Sequence, residues 1–110
     1  MNFTRVKITT TVPLENADAV RHALGEAGAG VIGNYSFCSF SVIGKGWFMP
    51  NEDANPHIGS ANVLEAVEEE RVEVVCDRKN AKQVIVALKA AHSYEEVIVD
   101  ITPLIDEDQL

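Results

Sequence analysis

Long apolar runs are missing from this 110-residue sequence. Nothing in it approaches the roughly 20 consecutive apolar residues needed to cross a bilayer as a helix. Its start, MNFTRVKITTTV, has no apolar secretory core, so a soluble, cytoplasmic protein with no membrane partner is expected. Basic charge is scarce as well: 9 Lys and Arg face 17 Asp and Glu, for a net charge of −8. Affinity for nucleic acid comes chiefly from Lys and Arg neutralising phosphates, so no nucleic-acid partner is expected. An acidic chain remains compatible with cations, neutral small molecules and protein partners. The two cysteines, Cys38 and Cys76, lie far apart and do not resemble a disulfide framework. No CxxC or HExxH supplies a local metal signature, and no GxxxxGK[ST] supplies a phosphate loop.

Hydrophobic residues at 46% and charged residues at 24% are ordinary globular proportions. One domain is expected over 1–104, followed by an acidic tail, 105–110, the one place where disorder is expected. Thr4 to Val12 alternates, with Val6, Ile8, Thr10 and Val12 on one side and charged or polar residues on the other, which reads as a half-buried strand. After Pro13, the apolar residues Ala17, Val20, Leu24 and Ala27 fall at helical spacing, and Gly28 supplies a stop. Tyr35 to Ile43 reads as a second strand, apolar on both faces and therefore in need of cover on both. Gly44-Lys-Gly46 reads as a tight turn or bulge, followed by a short extended piece ending at Pro50. Glu68 to Cys76 is a third strand with a solvated acidic entrance. Asp77 or Asn80 can cap a second helix that runs to about Ala91, and Val97 to Ile101 is a last strand stopped by Pro103. This order predicts an α+β, ferredoxin-like βαββαβ fold: an antiparallel sheet with both helices on one face. The other face must be polar or packed, and the apolar second strand favours packing against copies of the same chain.

Six of the seven glycines, the only Trp, Cys38 and His57 fall between Gly28 and Gly59. Gly28-Ala-Gly30-Val-Ile-Gly33 matches GxGxxG in letters. It follows a helix and precedes a strand, however, the reverse of the order that presents helix amides to a pyrophosphate. The dinucleotide reading is rejected in favour of a helix stop and a sharp reversal. His92 and Glu95 are three apart at a helix end and, with His57, are the candidate metal ligands; a helix-end histidine also serves simply by bonding a terminal carbonyl. Cys38 is either a small buried hydrophobe or a nucleophile needing a base. Asn34, Tyr35, Ser36, Ser39 and Ser41 either pair within the sheet or line a pocket.

Several blocks carry a resemblance: Ala27 to Ser36, Cys38-Ser-Phe40, Gly44-Lys-Gly-Trp-Phe48, Ala54-Asn-Pro-His-Ile-Gly59 and Ala91-His-Ser-Tyr-Glu-Glu96. Together they resemble the domain inserted in YqfO-type members of the Nif-three-like family. The His-x-Tyr-Glu block is also similar to that of the CutA divalent-cation-tolerance proteins. The resemblance to CutA and PII proteins implies a ferredoxin-like homotrimer. Asp53 and Ser93 stand where the family pattern has Gly and Pro. The two-metal site of the full-length family lies on segments absent here, so the resemblance implies no hydrolase.

The resulting expectation is a non-enzymatic, trimeric binding or regulatory module for a small molecule or divalent cation at a subunit interface. Its ligand-binding residues would be Gly33, Asn34, Tyr35, Cys38, Ser39, Asn55 and Tyr94, with His92, Glu95 and His57 as metal ligands, drawn from one subunit or from neighbours. A divalent metal ion is the one cofactor suggested. The alternatives are a small metal-dependent hydrolase using Cys38 or His57, and a purely structural interaction domain.

Overall fold

A computed structural model describes residues 2–110. Its elements are strand β1 (Arg5–Pro13), helix α1 (Leu14–Glu26), strand β2 (Phe40–Phe48), strand β3 (Glu65–Asp77), helix α2 (Ala81–Ala91) and strand β4 (Asp100–Leu104). The sheet order is β2-β3-β1-β4 with every pairing antiparallel, the ferredoxin-like arrangement that the sequence order implies. Register follows from the alternation in β1. Val6, Ile8 and Thr10 sit opposite Cys76, Val74 and Val72, so one face of the central strand pair is apolar apart from the buried Thr10 hydroxyl. Ala17, Val20 and Leu24 of α1 and Val84 and Leu88 of α2 close over that face and form one core with it. Burying side chains of this size stabilises by roughly 1.5–3 kcal/mol each before entropy is counted.

Where the elements depart from the pattern in the sequence, the cause is tertiary. Gly44-Lys-Gly46 makes no turn: β2 runs straight through it, with Gly44 opposite Glu69 and Gly46 opposite Val67. The Glu69 side chain explains the glycine. Its Oε1 lies where a Cβ on Gly46 would sit, 1.8 Å from the ideal position. Tyr35 to Ser39, expected as strand, is loop, because Ile32 and Tyr35 bond each other's backbones at 2.9 Å and close a tiny hairpin around Gly33 and Asn34. The acidic run Glu68-Glu-Glu70 is not a solvated entrance but lies within β3, paired with Ile43 to Lys45 of β2.

Neither Asp77 nor Asn80 caps α2 through its side chain; a 3-10 turn, Arg78–Asn80, leads into the helix instead. Pro103 lies inside β4 opposite Val6 rather than ending a strand. β4 is an edge, where the missing N–H of proline can face away from the ladder. The acidic tail is tied down: Asp106 accepts hydrogen bonds from Thr4 Oγ1 at 2.9 Å and Arg5 Nε at 2.7 Å.

The helices do not cover β2. Ile43 is 69% and Trp47 64% exposed on the helix side, and Phe40 is 64% exposed on the open side. The strand is an unpaired edge with apolar side chains on both faces, the kind of element that natural proteins cover or pair.

Candidate functional site

Three segments meet at the Phe48 end of β2: the strand's last residues, the loop around Ala54 to Ile58, and the chain leaving α2 from Tyr94 to Ile98. They enclose a cavity of about 430 Å³, with Thr11, Gly46 and Glu69 among its lining residues. That volume lies in the range of small-molecule pockets.

The positioning of these segments starts at His92, which is 7% exposed. Its Nε2 lies 2.7 Å from the Thr11 carbonyl, and its Nδ1 receives the Tyr94 N–H at 3.1 Å. A carbonyl only accepts and an amide N–H only donates, so the ring must carry its proton on Nε2. Both nitrogens are thereby committed, and His92, expected as a metal ligand, acts as a clamp between β1 and the chain after α2. The next link is Tyr94. Its ring lies 5.0 Å from that of His92 and 6.0 Å from that of Phe48, and its hydroxyl donates to Glu69 Oε2 at 2.8 Å. Burial first, and then the Glu69 carboxylate, push the Tyr94 phenol far above its ordinary range, so the hydroxyl is a standing donor. Glu69 itself is 7% exposed. Across the pocket, the Asn55 N–H donates to Glu95 Oε1 at 2.9 Å and fastens the loop to the post-helical segment.

Of the residues singled out from sequence, His57, Glu95 and Tyr94 line this cavity, and Asn55 holds one wall through its backbone. His57, Glu95 and His92 do not converge on a metal: among the described residues, no three His, Cys, Asp or Glu side chains are placed to hold one. The glycine-loop residues lie elsewhere. Gly33 (φ +57°) and Asn34 form the tip of the hairpin between Ile32 and Tyr35. Cys38 donates its N–H to the Gly30 carbonyl at 2.8 Å, and its thiol lies 3.9 Å from the Ser36 carbonyl. Ser39, exposed, immediately precedes β2. These residues cluster at the Phe40 end of a nine-residue strand whose other end holds the cavity, a separation of roughly 25 Å at the usual rise per residue. Within one protomer the two sets therefore do not meet. Glu69, which lines the pocket, was missed as a site residue. The available signal was a glutamate in the middle of a strand, opposite Gly44 and beside Gly46.

No protein-family model matches the chain. The chain is similar to the GTP cyclohydrolase 1 type 2 homolog of Mycobacterium tuberculosis, at 51% identity over 94 residues that make up 86% of this chain and 25% of that protein. In structure it is similar to the Bacillus cereus protein related to NIF3, with a TM-score of 0.82 and 43% identity, covering 94% of this chain and 26% of that one. It is also similar to the periplasmic divalent cation tolerance protein CutA of Archaeoglobus fulgidus, with a TM-score of 0.68 and 22% identity over 93% of this chain and 85% of that one. The last likeness is one of fold. The chain spans about a quarter of the length of the curated relatives that it matches.

Proposed function

From the premise that this chain is homologous to one domain-length segment of the NIF3-related proteins, on a CutA-like ferredoxin fold, we propose that it is a non-enzymatic, homotrimeric module that binds a small molecule beside a subunit interface. One observation carries this reading: the cavity and the uncovered edge strand share residues. Trp47 and Phe48 belong to β2 and also line the pocket, so a second copy docked along β2 would close the pocket as it covers the edge. Such docking would let the Gly33–Ser39 region of one protomer approach the Tyr94–Glu95 region of another. A divalent-cation ligand, as in the name of CutA, would need donors from a neighbouring copy, because one protomer brings too few together.

The cyclohydrolase activity in the relatives' names is not carried over to a chain that spans a quarter of them. A hydrolase built on Cys38 or His57 would have to work with the two at opposite ends of β2.

Native mass spectrometry tests the proposal. A trimer is expected, with Trp47→Glu giving a folded monomer. A wild-type monomer at micromolar concentration overturns it.

A further inference from the structure

The pocket has a charge of one sign. Glu69, Glu95 and Glu96 line it, while no Lys or Arg does; His57 is its one basic side chain. Two other glutamates of β3, Glu70 and Glu73, have cations. Glu70 meets Arg21 Nη1 at 2.6 Å, and Glu73 lies 3.7 Å from Lys7 Nζ and 3.6 Å from Arg71 Nε. Glu69 is the buried member of the run and, among the described residues, has no cation. Among the described residues its one hydrogen bond comes from the uncharged Tyr94 hydroxyl, to Oε2. Oε1 lies over the bare backbone of Gly46 and accepts no hydrogen bond. A buried carboxylate without a counter-charge is costly, and a cation in contact with it recovers much of that cost. The remaining walls are aromatic and aliphatic: Phe48, Tyr94, Met49, Pro50 and Ile98. Ring faces attract cations.

We propose that this pocket takes a small organic cation: an ammonium group directed at Glu69 Oε1, carried on an apolar body that fills the aromatic walls. The proposal rests on the reading of the chain as a small-ligand module and names the ligand class. A bare metal ion does not fit it, since no three donors converge and much of the wall is hydrocarbon. An anion would meet three carboxylates.

Isothermal titration calorimetry reads occupancy of the pocket directly. Three probes with the same ring and two-carbon frame separate charge from shape: phenethylammonium, 2-phenylethanol and phenylacetate, titrated into the full chain at neutral pH. Phenethylammonium is expected to give a saturable change, and to bind about tenfold tighter than 2-phenylethanol because a hydrogen bond to a charged group outweighs a neutral one. Phenylacetate is expected to be the weakest of the three. In Glu69→Gln, which still accepts from Tyr94, the preference for the cation should vanish while the neutral probe binds as before. If that variant does not fold, as judged by circular dichroism, the wild-type ranking decides. Equal affinity for the cation and the alcohol overturns the ligand class and leaves the binding-module reading standing. Preference for phenylacetate does the same. No saturable response to any probe overturns the inference, and the oligomeric state from native mass spectrometry then decides the module reading on its own.

Discussion

The Tyr94 phenol is held neutral by burial and by the carboxylate to which it donates, which gives the protein an alkaline limit. A phenol whose folded value exceeds its ordinary 10.0 keeps its proton in the fold after the unfolded chain has lost it. Its contribution to stability is therefore complete below pH 10.0 and is lost as pH rises beyond. The difference in melting temperature between wild type and Tyr94→Phe should be constant below that pH and shrink above it; a difference that grows with pH would be inconsistent with this pair. Ser93, next to Tyr94, tells a different story. Its N–H donates to Asn16 Oδ1 at 2.9 Å, but its buried hydroxyl has no partner. Ser93→Ala removes an unsatisfied group and should leave stability unchanged or raise it by up to about 1 kcal/mol, measured by urea denaturation. Two glycines should separate in the same assay. Gly30 has φ +79°, and a Cβ there would meet the backbone of Cys38 at 2.3 Å. Gly30→Ala should therefore cost about 3 kcal/mol, from strain and backbone displacement together. In Gly46→Ala the new atom meets only the tip of Glu69, so the cost should be nearer 1 kcal/mol, the value of the Tyr94 hydrogen bond that it disturbs.

At the scale of elements, β2 is the one strand whose composition conflicts with its surroundings in a single protomer. Its residues are apolar on both faces, the pattern of a strand covered on both, but the helices lie over β1 and β3 and leave it bare. Placing a charge on it should therefore act on association and not on folding. Ile43→Lys is expected to give a monomer by native mass spectrometry, with the protomer's stability within about 0.5 kcal/mol of wild type, as for other exposed positions. A trimer that persists in this variant would remove β2 from the interface. The segment between α1 and β2 shows the complementary case. Its glycines are explained without a ligand: Gly28, at φ +102°, ends α1, and Gly30 lets the chain pass between β3 and Cys38.

At the scale of the molecule, one core covers one face of the sheet and leaves the other face and the β2 edge open. Among the described residues no three His, Cys, Asp or Glu side chains are placed to hold a metal ion. Removing divalent ions with EDTA should leave the melting temperature unchanged; a fall of several degrees would show that a metal is shared between copies in a way that a single chain does not display.

The alternation in Thr4–Val12, the helical spacing of Ala17, Val20 and Leu24, and the order of elements were enough to determine the fold, because a two-residue or 3.6-residue period leaves few ways to bury its apolar side. The candidate site was legible only in part. His57, Asn55, Tyr94 and Glu95 stand out by residue type, and they come together at one end of β2. The employment of His92 as a clamp, the burial of Glu69 and the distance between the glycine loop and the pocket were decided by tertiary structure. Each depends on what a side chain meets across the sheet: Thr11 across 81 positions of sequence, Tyr94 across 25. Local pattern fixes which way a side chain leaves the backbone; only the packed sheet fixes what it finds there.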